Sequence, residues 1–143
     1  MNFFLIPFSV LVICQGIKLL IYISKKEGIA FNKLIWEGFW VGKFPSTHSA
    51  VISSSFYLLV QTKETAFIGF AFFVSLLIFY GLIEDKKRQE LFEFYFSRSK
   101  DSSLQTLVRE RKLLDFSGHA PIQVISGIVL GVGISVLIES LLK

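Results

Sequence analysis

The chain has 143 residues, 52% of them hydrophobic and 16 of them Phe, with a mean hydropathy of +0.61 and a net charge of +4. That is too apolar for an ordinary soluble domain and suits a single multi-pass membrane domain; the basic residues sit beside apolar segments, which argues against nucleic-acid binding. A lone cysteine, Cys14, excludes an intramolecular disulfide framework and a multi-cysteine metal site, and the histidines number 2, His48 and His119.

Taken in chain order, the first apolar segment runs over about residues 3–24. It lacks a basic leader and a small-x-small cleavage site, so it reads as a retained span rather than a signal peptide. Inside it, Gln15, Lys18 and Tyr22 share one helical face at i, i+3 and i+4 spacing. An ammonium in oil is costly, so Lys18 either faces a polar partner or snorkels to the interface. The following stretch, "KKEGIAFNKLIWEGFWVGKF", carries Trp36 and Trp40, which read as an interfacial aromatic belt.

The second apolar segment covers about residues 46–62 and the third about 65–83, with only "TKE" between them, so the two form an antiparallel hairpin. Residues 84–118 are charged and aromatic; two amphipathic helices are expected near 86–97 and 104–116, separated at "SRSKDSS". The fourth span covers about 121–142. The expected fold is an all-α, multi-pass membrane helix bundle of about four transmembrane helices plus short interfacial helices, forming one domain over 1–143.

Both basic loops fall on one face of this topology, which the positive-inside rule assigns to the cytoplasm of a cell (plasma or inner) membrane. Both histidines fall on that face too. His48 sits in "PSTHS" at the start of the second helix, with Ser46 or Thr47 able to cap it; His119 sits in "SGHAP" at the start of the fourth, with Ser117 able to cap it and Pro121 in its first turn. Two helix N-termini side by side expose unpaired N–H groups and positive partial charge, an anion site whose usual occupant is phosphate. A histidine there can attack phosphorus or protonate a leaving oxygen. At the end of the third span, "EDKKR" is first a membrane stop signal, but Asp85 and Arg88 share a face and a basic side chain there can reach the same site. Ser49, Ser53, Gly127, Gly131, Gly133 and Ser135 read as small residues for close helix packing. Nothing in the sequence requires a metal or an organic cofactor.

"QGIK" in the first helix, "PSTHSAVISS" opening the second and "GHAPIQVISGIVLG" opening the last resemble, in order and spacing, the divergent branch of the type 2 phosphatidic acid phosphatase superfamily, which is related to acid phosphatases and vanadium-dependent haloperoxidases. The resemblance implies a phosphohistidine mechanism in which His119 is the nucleophile, His48 the general acid, and Ser46 and Lys18 hold phosphoryl oxygens. The chain departs from the family pattern in several places. Gln123 stands where the branch usually has Glu to orient the nucleophile, and Asp115 is the nearest carboxylate before His119. No arginine precedes His119 at the expected spacing. Lys43 and Phe44 replace part of a Gly-Gly-Met, so that Lys43 adds positive charge. These departures bear on turnover more than on fold.

The leading expectation is a membrane phosphatase-like protein that hydrolyses a membrane lipid phosphate. Its candidate residues are His119 and His48 for catalysis, Lys18, Ser46 and Lys43 for binding, and Gln15, Gln123, Asp85 and Arg88 in support. The alternatives are a non-catalytic protein that retains a phosphate or headgroup pocket, and a small lipid transporter or translocation subunit, for which Lys18 and Gln15 inside a span are the motive.

Overall fold

The computed structural model describes residues 3–25, 44–99, 101–109 and 118–142. The expected aromatic belt of Trp36 and Trp40, together with Lys43, Asp115 and Ser117, lies outside the described residues. The helices are α1 (Leu5–Lys25), α2 (Thr47–Val60), α3 (Thr65–Ser97), α4 (Ser102–Arg109) and α5 (Pro121–Leu141), with no strand among the described residues. Two of them, α3 and α5, are long and apolar enough to cross a membrane.

The central contact is between α2 and α5, and it is parallel. Ser54 Oγ and Ser135 Oγ are 2.7 Å apart across a sequence offset of 81. The same offset relates Ser46 to Gly127 and Ala50 to Gly131, where the backbone of α2 lies directly over each glycine. At the far end Tyr57 donates to Glu139 at 3.0 Å. A Cβ on Gly127 would collide with the Ser46 carbonyl, and one on Gly131 with the Ala50 carbonyl and Ser53 Oγ, so these are the close approaches that small residues permit. Polar groups in the seam find partners within it: Ser53 Oγ donates to Ala50 O at 3.1 Å and Ile128 O at 3.3 Å, and Ser135 Oγ to Gly131 O at 2.7 Å.

The helix α1 runs antiparallel to α2. Val10 and Cys14 pack on Ala50, with Ile134 of α5 against them, and Lys18 lies further along α1 toward the start of α2. The tight turn between α2 and α3 is the expected hairpin; it places Phe56 and Phe72 with ring centroids 6.2 Å apart, and Lys63 turns the chain in the left-handed region at φ 62°.

One boundary differs from expectation. The third helix does not stop at residue 83 but continues without a break to Ser97, absorbing the first of the two expected amphipathic helices. The charged run "EDKKRQE" ends the apolar stretch, but its residues are good helix formers and no proline interrupts them. The expected break at "SRSKDSS" is present between α3 and α4, where Asp101 accepts from the Ser103 N–H at 2.9 Å at the start of α4.

Candidate active site

The parallel seam brings the starts of α2 and α5 together. Ser46 is the N-cap of α2: its Oγ accepts from the Ser49 N–H at 3.4 Å and from Ser49 Oγ at 3.0 Å. Its own N–H donates across to Gln123 O at 3.1 Å, tying the two helix starts to each other. On the α5 side the N-cap is Ala120, not Ser117, and its backbone N–H is accepted at 2.8 Å by Gln123 Oε1. This is the reciprocal half of a capping box, made without a hydroxyl at the cap.

The loop before α5 is fixed against α3. The His119 N–H donates to Leu82 O at 2.9 Å. Gly118 lies on the backbone of Asp85 and Lys86, where a Cβ would run into Lys86 N and lie 2.7 Å from Lys86 Cα. With the cap on one side and this contact on the other, His119 is held beside His48: the ring centroids are 5.8 Å apart and the planes meet at 81°. His119 is 6% exposed, while His48 is exposed.

Lys18 is also 6% exposed, and its ammonium lies within electrostatic reach of the His48 ring. The ion pairs among the described residues are Lys86–Glu90 and Arg88–Glu84, and Lys18 joins neither. Two buried oxygens accompany these groups. Gln15 Oε1, one turn before Lys18, and Thr47 Oγ1, beside His48, have no hydrogen-bond partner among the described residues. A buried polar group left unpaired costs about 1–3 kcal/mol, so these two oxygens are kept at the expense of stability.

Of the residues singled out from sequence, the structure gathers His48, His119, Ser46, Lys18, Gln15 and Gln123 at one end of the bundle. Asp85 meets the loop through its backbone. Arg88 is not brought in: it points to solvent and pairs with Glu84 at 3.1 Å. The basic residue of α3 whose backbone underlies Gly118 is Lys86, and sequence reading passed it over because helical phase alone does not say which face meets the loop. Thr47, read only as a cap candidate, and Ser49, read only as packing, also belong to this cluster.

The chain belongs to the Divergent PAP2 family, whose model matches residues 1–134, and this membership makes it a phosphatase-related membrane protein. Comparison with curated proteins and with solved structures finds no match.

Proposed function

We propose that the chain is a four-span membrane protein that hydrolyses a lipid phosphate at the cytoplasmic ends of its helices through a phosphohistidine. The observation that carries this reading is the 5.8 Å approach of His48 and His119 at the starts of α2 and α5. Those starts point the positive ends of two helices, and the Lys18 ammonium, at one place, which is the electrostatics a phosphate monoester needs.

In this reading an imidazole nitrogen of His119 attacks phosphorus, and the bond from phosphorus to the lipid oxygen breaks. His48, the more exposed of the two imidazoles, gives its proton to that oxygen, and the lipid alcohol leaves. His48 then takes a proton from water as the water attacks the phosphohistidine, releasing inorganic phosphate and restoring both rings. Lys18 and Ser46 hold phosphoryl oxygens through both steps, with Lys43 adding charge; Gln15 and Gln123 are supports.

The test is phosphate release from phosphatidate and prenyl phosphates by the purified chain in lipid, beside His119→Ala and His48→Ala. The wild-type chain releases phosphate, His119→Ala does not, and His48→Ala is slowed by about 10²–10⁴. Equal release by all three removes the enzymatic reading.

One observation favours the second reading, a non-catalytic phosphate-binding protein. Gln123 stands where a carboxylate would steady an imidazolium, and its oxygen is already taken by the Ala120 N–H. That reading expects vanadate to raise thermal stability while no lipid phosphate is turned over.

A further inference from the structure

Among the described residues the buried hydroxyl side chains are those of Ser46, Thr47, Ser49, Ser53, Ser54 and Ser135. The serines are all paired. Ser49 Oγ donates to Ser46 Oγ at 3.0 Å, Ser53 Oγ donates to the carbonyls of Ala50 and Ile128, and Ser54 and Ser135 meet each other at 2.7 Å. Thr47 Oγ1 has no partner, although the residue is only 7% exposed.

The reason is local. A serine or threonine inside a helix can bond the carbonyl one turn back, as Ser55 does to Val51 O at 3.0 Å and Ser75 to Ala71 O at 2.7 Å. Thr47 is the first residue of α2, so no helical carbonyl lies behind it. Nor is it the cap, because Ser46 holds that place and its Oγ already accepts from the Ser49 N–H. The Thr47 oxygen is also closed to bulk water, so neither its helix nor the solvent satisfies it. Such a group is kept at a cost to folding, which suits a binding residue better than a packing one.

Thr47 stands between Ser46, whose N–H is tied to Gln123 O at the start of α5, and His48, whose ring centroid is 5.8 Å from that of His119. Cys14 packs with Ala50, so Lys18, one turn further along the antiparallel α1, comes level with the first turn of α2. The buried hydroxyl, the buried ammonium and the open N–H groups of a helix start therefore share one level of the bundle. Ser46 Oγ accepts twice from Ser49 and has one O–H left to give, whereas Thr47 Oγ1 has spent nothing.

We infer that Thr47 is a further phosphate-binding residue, its hydroxyl donating to a phosphoryl oxygen of the bound anion. This rests on the phosphate site proposed above, and it adds to Ser46 and Lys18 a hydrogen bond that the fold itself does not use.

The experiment follows thermal unfolding of the full chain in phosphatidylcholine nanodiscs, titrated with vanadate in one arm and with phosphatidate added to the bilayer in the other. Thr47→Val keeps the shape and removes the hydroxyl, and Thr47→Ser keeps the hydroxyl. Thr62→Val removes a hydroxyl that donates to Leu59 O at 2.7 Å beyond the other end of α2. Without ligand, Thr47→Val unfolds at or above the wild-type midpoint, whereas Thr62→Val unfolds below it. Vanadate stabilises the wild-type chain. Thr47→Val binds it about ten- to a hundredfold more weakly, the worth of one hydrogen bond to a charged group, while Thr47→Ser and Thr62→Val bind it as wild type does. A loss in the vanadate arm gives the hydroxyl to a free anion, and a loss in the phosphatidate arm gives it to a lipid headgroup. Thr47→Val that matches wild type in both arms overturns the assignment. So does a Thr47→Val midpoint that falls without ligand, which would give the hydroxyl a structural partner. A wild-type chain that neither ligand stabilises removes the phosphate site and this residue with it; a wild-type chain that is stabilised while Thr47→Val equals it removes only the role of Thr47.

Discussion

Ser54 of α2 and Ser135 of α5 share a 2.7 Å hydrogen bond, and their offset of 81 is the register of the whole seam. Parallel neighbouring helices align their dipoles unfavourably, so the seam has to recover that cost through close contact, and Gly127 and Gly131 are where contact is closest. Both histidines depend on it, because the register decides which residue at the start of α5 meets Ser46.

Replacing either seam glycine therefore destabilises the bundle. Gly127→Ala and Gly131→Ala each lose about 1–3 kcal/mol, because a Cβ there meets backbone rather than a flexible side chain end. Gly133→Ala, with open space around it, is neutral or slightly stabilising through helix propensity. Thermal unfolding in one detergent, followed by loss of helical signal, separates the three.

Gln123 acts first as a cap. Gln123→Ala removes the acceptor for the Ala120 N–H and costs about 1 kcal/mol of stability. Gln123→Glu keeps the acceptor and adds negative charge at a helix start, so its unfolding midpoint is equal to or above that of wild type. If the chain is an enzyme, the added carboxylate also raises kcat by supporting a charged His119, and initial-rate measurements on both variants check this.

Lys86 and Arg88, two positions apart, both pair along α3, with Glu90 at 3.4 Å and Glu84 at 3.1 Å. Lys86→Ala and Arg88→Ala therefore each leave vanadate binding within about twofold of wild type, because each cation is already engaged by a carboxylate of its own helix. Titration calorimetry on the two variants checks this, and a loss of about tenfold in either would bring that side chain into the site.

Lys18 is a cation kept at a cost. Lys18→Met fills the same space without the desolvation of an ammonium, so the ligand-free variant unfolds at a higher temperature than wild type. The same variant loses the stabilisation that vanadate gives the wild-type chain. A midpoint that falls without ligand would assign Lys18 a structural partner.

Much of this arrangement was legible in the residues. Counting spans put His48 and His119 on the same side, because helix-forming apolar runs separated by "TKE" leave little topological choice. The i, i+3 spacing puts Gln15 and Lys18 on one face of α1, and in the structure Lys18 is buried, as is the Oε1 of the partly exposed Gln15. What could not be read is what packing decides. Hydropathy falls at "EDKKR", yet a change of solvent does not end a helix, so α3 runs on to Ser97. Capping rules look for a hydroxyl, which Ala120 lacks, so its cap through Gln123 is not legible in the residues. Helical phase likewise does not tell which part of α3 seats Gly118, and the structure gives that place to the backbone of Asp85 and Lys86.

The starts of α2 and α5 are not flush. Ser46 reaches both Gln123 and Gly127, so α2 begins about one turn, or about 5 Å, deeper than Pro121. On the function proposed above, a lipid phosphate would have to lower its phosphorus by about that much to meet both rings, so the stagger would set apart the two products: the alcohol would be left at acyl-chain depth, and the anion would be left beside His48, the more exposed of the two imidazoles.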